Sequence, residues 1–168
     1  MIDRRGAVRL AVAGLGAAAL SPTARAQQGF QRFVPFLVDL PGWKGGKPEG
    51  VATQVLGTDI VTATRTYERG SAKVNASVLL GAPAQAALLA ANSGQKAKSN
   101  DIRMSTTTVD GMQVHKTYAV SQKSGAILVE LSGNAVITLA FNGVGEDEAM
   151  GLARKFDWKG IQTQAQAK

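Results

Sequence analysis

From position 51 onward the apolar residues of this 168-residue chain recur at every second position, in short runs separated by Gly-bearing turns. A period of two marks strands with one face buried and one face wet, and it rules out a helical bundle for most of the chain. Residues 51–56 make a first run, turned by Gly57-Thr58-Asp59. Residues 60–68 make a second, rich in β-branched and aromatic side chains, and Gly70-Ser71 leads into a third at 73–80. The pattern resumes at 102–109, where Asp110-Gly111 is the strongest hairpin signal in the chain. Runs at 112–120, 126–131 and 135–141 complete it. The last two are apolar at both parities and are expected to be central strands covered on both faces.

Two segments break the period. Pro83 opens residues 84–91, nearly all Ala and Leu with Leu88 and Leu89 as apolar anchors, and Asn92-Ser93-Gly94 closes them. Residues 146–156 begin on Glu146, Asp147 and Glu148 and finish near Arg154 and Lys155, as the helix dipole favours. Ala149, Leu152, Ala153 and Phe156 make one apolar stripe there. The order βββ-α-ββββ-α groups strands before each helix. It argues for an α+β fold, with a single antiparallel sheet of about six to seven strands and both helices on one face. The other face carries Thr62, Thr64, Thr66, Asn75, Ser77, Gln113, His115 and Thr117 and is expected to be partly wet. Arg65-Thr66-Tyr67 is echoed by Lys116-Thr117-Tyr118, 51 residues later.

Residues 51–161 read as one α+β domain and 162–168 as a frayed polar tail. Residues 27–50 are an apolar lead-in holding Phe30, Phe33, Phe36, Leu37, Leu40 and Trp43. Pro35 and Pro41 forbid one long helix there but allow a short turn at Pro35. Residues 1–26 have the layout of a cleavable secretory signal: basic Arg4, Arg5 and Arg9, an uncharged stretch at 10–20, then Ala24-Arg25-Ala26. That stretch rises only about 16 Å as a helix, half a bilayer core, so no membrane span is expected once the signal is removed. Asp3-Arg4-Arg5-Gly6-Ala7-Val8-Arg9 resembles a twin-arginine signal, with Ala7 in place of the large apolar residue preferred there. The resemblance implies a bacterial protein that is periplasmic or secreted.

Composition narrows the chemistry. The absence of Cys excludes thiol catalysis, disulfides and thiolate metal sites, and a single His excludes a multi-His cluster. No cofactor or metal motif is found. The net charge is +7, but residues 1–26 hold four Arg and one Asp, which leaves 15 basic and 11 acidic residues scattered singly. A nucleic-acid binder would show a dense basic stripe with interleaved aromatics, so nucleic acid is not an expected partner. His115 sits between Gln113 and Thr117 on its strand face, with no Gly-x-Ser-x-Gly elbow in reach, and reads as an exposed sheet-face residue. A hydrolase using His115 is the least supported activity, and the chain reads as a non-enzyme.

Two sets of residues are left as binding candidates. Val61, Ala63, Arg65 and Tyr67 share one strand face, and Met112, Val114, Lys116 and Tyr118 share another. Arg65, Tyr67, Lys116 and Tyr118 thus place a basic group beside a phenol at apolar parity, which suits a pocket for a small anionic or amphipathic ligand. Phe30, Phe33, Phe36 and Trp43 would form a partner-binding patch if they do not all pack on the sheet. Leu40-Pro41-Gly42-Trp43 before a Gly-rich loop, then Tyr67-Glu68-Arg69-Gly70, resembles a layout of small exported bacterial proteins of uncharacterised function. The element order also resembles the sheet-and-helix domain of photosystem II extrinsic PsbP-type proteins, which implies an accessory or binding role. The expected function is that of a non-catalytic periplasmic accessory protein, binding an envelope protein through its sheet face or aromatic lead-in. The alternative is a small-ligand binder, and a homodimer through the sheet is a further expectation.

Overall fold

The computed structural model describes residues 29–94 and 100–167, so the signal-like residues 1–26 lie outside the described residues. The period-two runs all become strands: β2 (Glu49–Val55), β3 (Thr58–Arg69), β4 (Ala72–Leu80), β5 (Ile102–Val109), β6 (Met112–Ala119), β7 (Ser124–Ser132) and β8 (Ala135–Asn142). A two-residue strand, β1 (Lys44–Gly45), adds an eighth from within the Gly-rich loop. The helices include α1 (Ala82–Gly94), α2 (Glu146–Ala153) and α3 (Trp158–Gln166); residues 29–31 are also helical, and a 3-10 turn at Val34–Phe36 begins one residue before the Pro35 that the sequence offered as its start. The fold is α+β around one antiparallel sheet, in the order β1-β3-β4-β8-β7-β6-β5, with β2 pairing β3 beyond β1.

Registered neighbours share a face, so each face can be read in rows. One inner row runs Ala63, Val78, Ile137, Val129, Val114. The next runs Arg65, Ala76, Leu139, Ile127, Lys116, and the third Tyr67, Val74, Phe141, Gly125, Tyr118. Apart from Arg65, Lys116 and Gly125, these residues form the main core with Phe33, Leu37, Leu40 and Trp43 from the lead-in, Ala149, Leu152 and Ala153 of α2, Phe156, and Trp158 and Ile161 of α3. The stripe expected on the last helical segment is buried as read, although that helix ends at Ala153 and a new one starts at Trp158. The Asp157 side chain caps α3 by accepting from the Gly160 N–H, so the tail expected to fray from residue 162 is helical to Gln166.

The two sequence-derived helices do not share a face. Ala84 of α1 packs on Leu128 and Val136, with Leu79, Ala87, Leu88 and Ala91 around them, and all three strand residues have the opposite parity to the inner rows. The reason lies in β7 and β8, which are apolar at both parities and need a cover on each side. The lead-in, α2 and α3 fill the inner face, and α1 takes the outer one. Leu89, expected as an anchor, points to solvent.

The tripeptide echo does not fall on equivalent positions of its two hairpins. β3 and β6 run in the same direction and carry Arg65 and Lys116 on the same face. Their hairpin partners β4 and β7 nevertheless lie on opposite sides of them, each toward the sheet centre. A rotation that superposes the two hairpins therefore exchanges the sheet faces and puts Arg65 and Lys116 on opposite ones.

Gly125 tests the inner row. A Cβ there would stand 2.1 Å from the Thr117 carbonyl oxygen and 2.8 Å from the Phe141 ring, which stacks on Tyr118 at 6.2 Å. Gly125→Ala should lower unfolding free energy by about 1–3 kcal/mol in a denaturant titration, because the crowding is against backbone and cannot be relieved by one rotamer. Gly133→Ala, at a turn with open space around it, should change stability by less than about 0.5 kcal/mol.

Candidate functional site

The four residues singled out on the inner face occupy adjacent rows but not one pocket. Arg65 and Tyr67 lie on β3, Lys116 and Tyr118 on β6, with β4, β8 and β7 between them. Four strand spacings put the pairs about 19 Å apart. The volume between them is filled by Ala76, Leu139 and Ile127 in one row and Val74 and Phe141 in the next. The expected shared anion pocket is therefore replaced by two separate structural uses.

Arg65 binds the lead-in to the sheet. Its Nε donates to the Gly46 carbonyl at 2.8 Å, one Nη to the Leu37 carbonyl at 2.6 Å and the other to the Asp39 carboxylate. Gly45 leaves room for the guanidinium, since a Cβ there would stand 2.6 Å from its Nη2. Tyr67, fully buried, donates its hydroxyl to the Val38 carbonyl at 2.7 Å, and Phe156 meets its ring edge-on. Burial pushes the Tyr67 phenol up to about 12, against a smaller opposing pull from the neighbouring Arg65 cation. Lys116 pairs instead with Glu146 at 2.9 Å and so holds the first turn of α2 over β6. Tyr118 is buried against Phe141.

The aromatic lead-in is core rather than a free arm. Phe33 and Trp43 are buried, and Phe30 and Phe36 are half-buried against the same cluster. Their burial follows from the Arg65 and Tyr67 bonds to Leu37, Val38, Asp39 and Gly46, which lay the segment flat on the inner face. Arg69 adds a second tie: it stacks on the Trp43 ring at 4.3 Å and pairs with Glu148 of α2 at 2.6 Å, which raises its own pKa. The four aromatics thus do not form an exposed patch.

His115 is buried at 8% exposure, contrary to the exposed position expected for it. It lies on the outer face between Thr106 and Leu128, its register neighbours, and its Nδ1 is 3.1 Å from the Thr106 hydroxyl. Leu128 belongs to the cluster beneath α1, so this stretch of the face is covered where the polar pattern suggested water. Among the described residues no group of three or more His, Asp or Glu is placed to hold a metal ion.

Two surface features remain, one unread in the sequence and one on the sheet face expected to be partly wet. Arg154, Lys155 and Lys159 gather with Asp110 and Asp157 around an open hollow of about 570 Å³ beside the β5–β6 turn. These residues are far apart in sequence or serve as helix-end charges, so only the fold joins them. The second feature is the part of the outer face beyond α1. There Thr66, Asn75, Ala140, Ala126 and Thr117 form one row across five strands. Thr66, Ala126 and Ala140 are exposed. Asn75 bonds Thr66 and Ser77, and Ser77 bonds Thr64, so the hydroxyls and amide are held in a fixed array. Lys73, Ser124 and Asn142 border it in a shallow open depression of about 570 Å³.

Arg65→Lys removes the forked donor while keeping the charge, and should cost about 2 kcal/mol of stability and open the lead-in to protease near Val34. Tyr67→Phe should cost about 1 kcal/mol at neutral pH. The raised phenol pKa has a definite sign in linkage: its contribution is complete below pH 10 and is lost as pH rises from 10 toward 12. Thermal melts of wild type should therefore fall more steeply than those of Tyr67→Phe across that window.

No family model, curated protein or solved structure shows significant similarity to this chain.

Proposed function

We propose that this chain is an exported, non-catalytic binding module of the bacterial envelope, and that it holds a protein partner on the uncovered part of its outer sheet face. The observation that carries this reading is the Thr66–Asn75–Ala140–Ala126–Thr117 row, which lies open beyond α1 while the inner face is fully packed. Small side chains in the row leave the sheet flat, and the ordered hydroxyls and amide offer donors and acceptors without net charge. Such a surface suits the polar, flat contact of a protein partner better than the enclosed apolar cleft that buries most of a small ligand. The signal-like segment with Arg4, Arg5 and Ala24-Arg25-Ala26 supports export to the periplasm.

The reading favours the sheet face over the aromatic lead-in because Phe33 and Trp43 are committed to the core. It also favours a protein over a small anion, since Arg65 and Lys116 are engaged with Asp39 and Glu146.

A photo-crosslinking residue at Ala140 should capture a defined partner in cells, whereas the same residue at Asp147, exposed on α2, should not. Ala126→Arg in the same chain, beside the probe, should weaken that capture by at least about tenfold and leave the melting temperature within a few degrees of wild type. Equal capture from both positions, or full capture by the Arg variant, would refute the assignment.

A further inference from the structure

Two hairpins of the sheet close with the same turn but with different chemistry. Asp110-Gly111 joins β5 to β6 with both residues at positive φ, 52° and 82°. Leu56-Gly57 joins β2 to β3 the same way, at 49° and 77°. This mirror-image turn favours Asn or Asp followed by Gly, because a short polar side chain tolerates the left-handed region. Asp110 obeys the rule. Leu56 breaks it, and its side chain is fully exposed at 101%. Neither turn chemistry nor burial within the chain accounts for a leucine there.

The strand leading into Leu56 is unusual in the same sense. β2 pairs only with β3, and no strand among the described residues covers its other edge. Edge strands are ordinarily guarded by Lys, Pro or a bulge. β2 reads Glu49-Gly50-Val51-Ala52-Thr53-Gln54-Val55 and has none of these. Val51 and Val55 on its outer face are 69% and 50% exposed. Because Val55 and Thr58 close a two-residue turn as a hydrogen-bonded pair, alternation points the N–H and C=O of Ala52 and Gln54 away from β3, toward the open edge.

We infer that β2 pairs antiparallel with β2 of a second copy of this chain, about a two-fold axis at Thr53. In that register Ala52 and Gln54 of one copy exchange backbone hydrogen bonds with Gln54 and Ala52 of the other, as an antiparallel ladder requires. Val51 of each copy meets Val55 of the other on one face. Leu56 of each copy arrives opposite Gly50 of the other. Gly50 borders an open hollow of about 630 Å³ lined by Phe30, Val34, Pro35 and Pro48 together with Gln31, Lys47 and Glu49, a mainly apolar seat for the leucine. An exposed knob and an apolar hollow thus sit at opposite ends of one strand, which is the arrangement a two-fold axis matches to itself. Glu49 falls opposite Gly57, so no like charges meet. The outer-face row assigned to the partner protein takes no part in this contact, and the two readings stand or fall separately.

Sedimentation of the purified full chain should show a concentration-dependent dimer. Leu56→Asn restores the favoured turn residue and should raise the melting temperature of the monomer while weakening the dimer at least about tenfold. Val55→Glu should weaken it similarly, and adding Val51→Lys to the same chain should recover it, because the new Lys faces the new Glu across the axis. The chain has no cysteine, so Thr53→Cys supplies a single thiol at the axis, and mild oxidation should give a covalent dimer that Val51→Cys does not. A monomer at every concentration overturns the proposal, as does a dimer indifferent to Leu56→Asn. Leu56-dependent binding to phosphatidylglycerol vesicles by a chain that stays monomeric overturns it too.

Discussion

The packing of the inner face depends on one side chain. Arg65 sits at an apolar position of β3, and its fork reaches three acceptors in the lead-in: the carbonyls of Leu37 and Gly46 and the carboxylate of Asp39. A lysine could offer one point of charge, whereas the planar guanidinium holds two separate stretches of chain at once. With the segment held down, Phe33, Leu37, Leu40 and Trp43 complete a core that β3 and β4 could not close with Val and Ala alone. Tyr67 reinforces the tie two residues further along the same face. The basic-plus-phenol pair that looked like a ligand site is thus a fastening, and Lys116, four strands away on the same face, fastens α2 through Glu146.

The inner face is therefore closed and the outer face only partly so. α1 covers Leu79, Leu128 and Val136, and its thirteen residues end before the row that runs through Ala126 and Ala140. At that row the central strands switch from Leu and Val to alanine, threonine and asparagine, side chains that do not demand cover. The molecule consequently shows two kinds of free surface: a flat polar sheet face, and at the β2 edge an unprotected strand with an exposed Leu56. A polar face with satisfied side chains tolerates water, whereas an apolar edge gains from being covered.

Much of the fold was legible because its signals are local. The alternation in 60–68 and 73–80 is a property of neighbouring residues, as is the Asp110-Gly111 turn, and both appear in β3, β4 and the β5–β6 hairpin as read. The double-parity apolar runs likewise marked β7 and β8 as central. The candidate site was less legible. Arg65 and Lys116 were correctly placed on the inner face, but nothing near them in sequence shows that Asp39 and Glu146 await them. His115 looked exposed because its strand neighbours are polar, and its burial comes from Thr106 and Leu128 on other strands.

By itself the sequence determined an α+β chain with an antiparallel sheet, a helix after Pro83 and another at the acidic triplet, because period, turn residues and helix-end charges act over a few positions. Only the tertiary structure decided which face each segment covers. It sent α1 to the outer face, laid the aromatic lead-in into the core and left Leu56 at an open edge. Those outcomes depend on contacts between residues as far apart as Leu37 and Arg65, or Lys116 and Glu146, whose partners are chosen by the strand order β4-β8-β7 and not by anything adjacent in the chain.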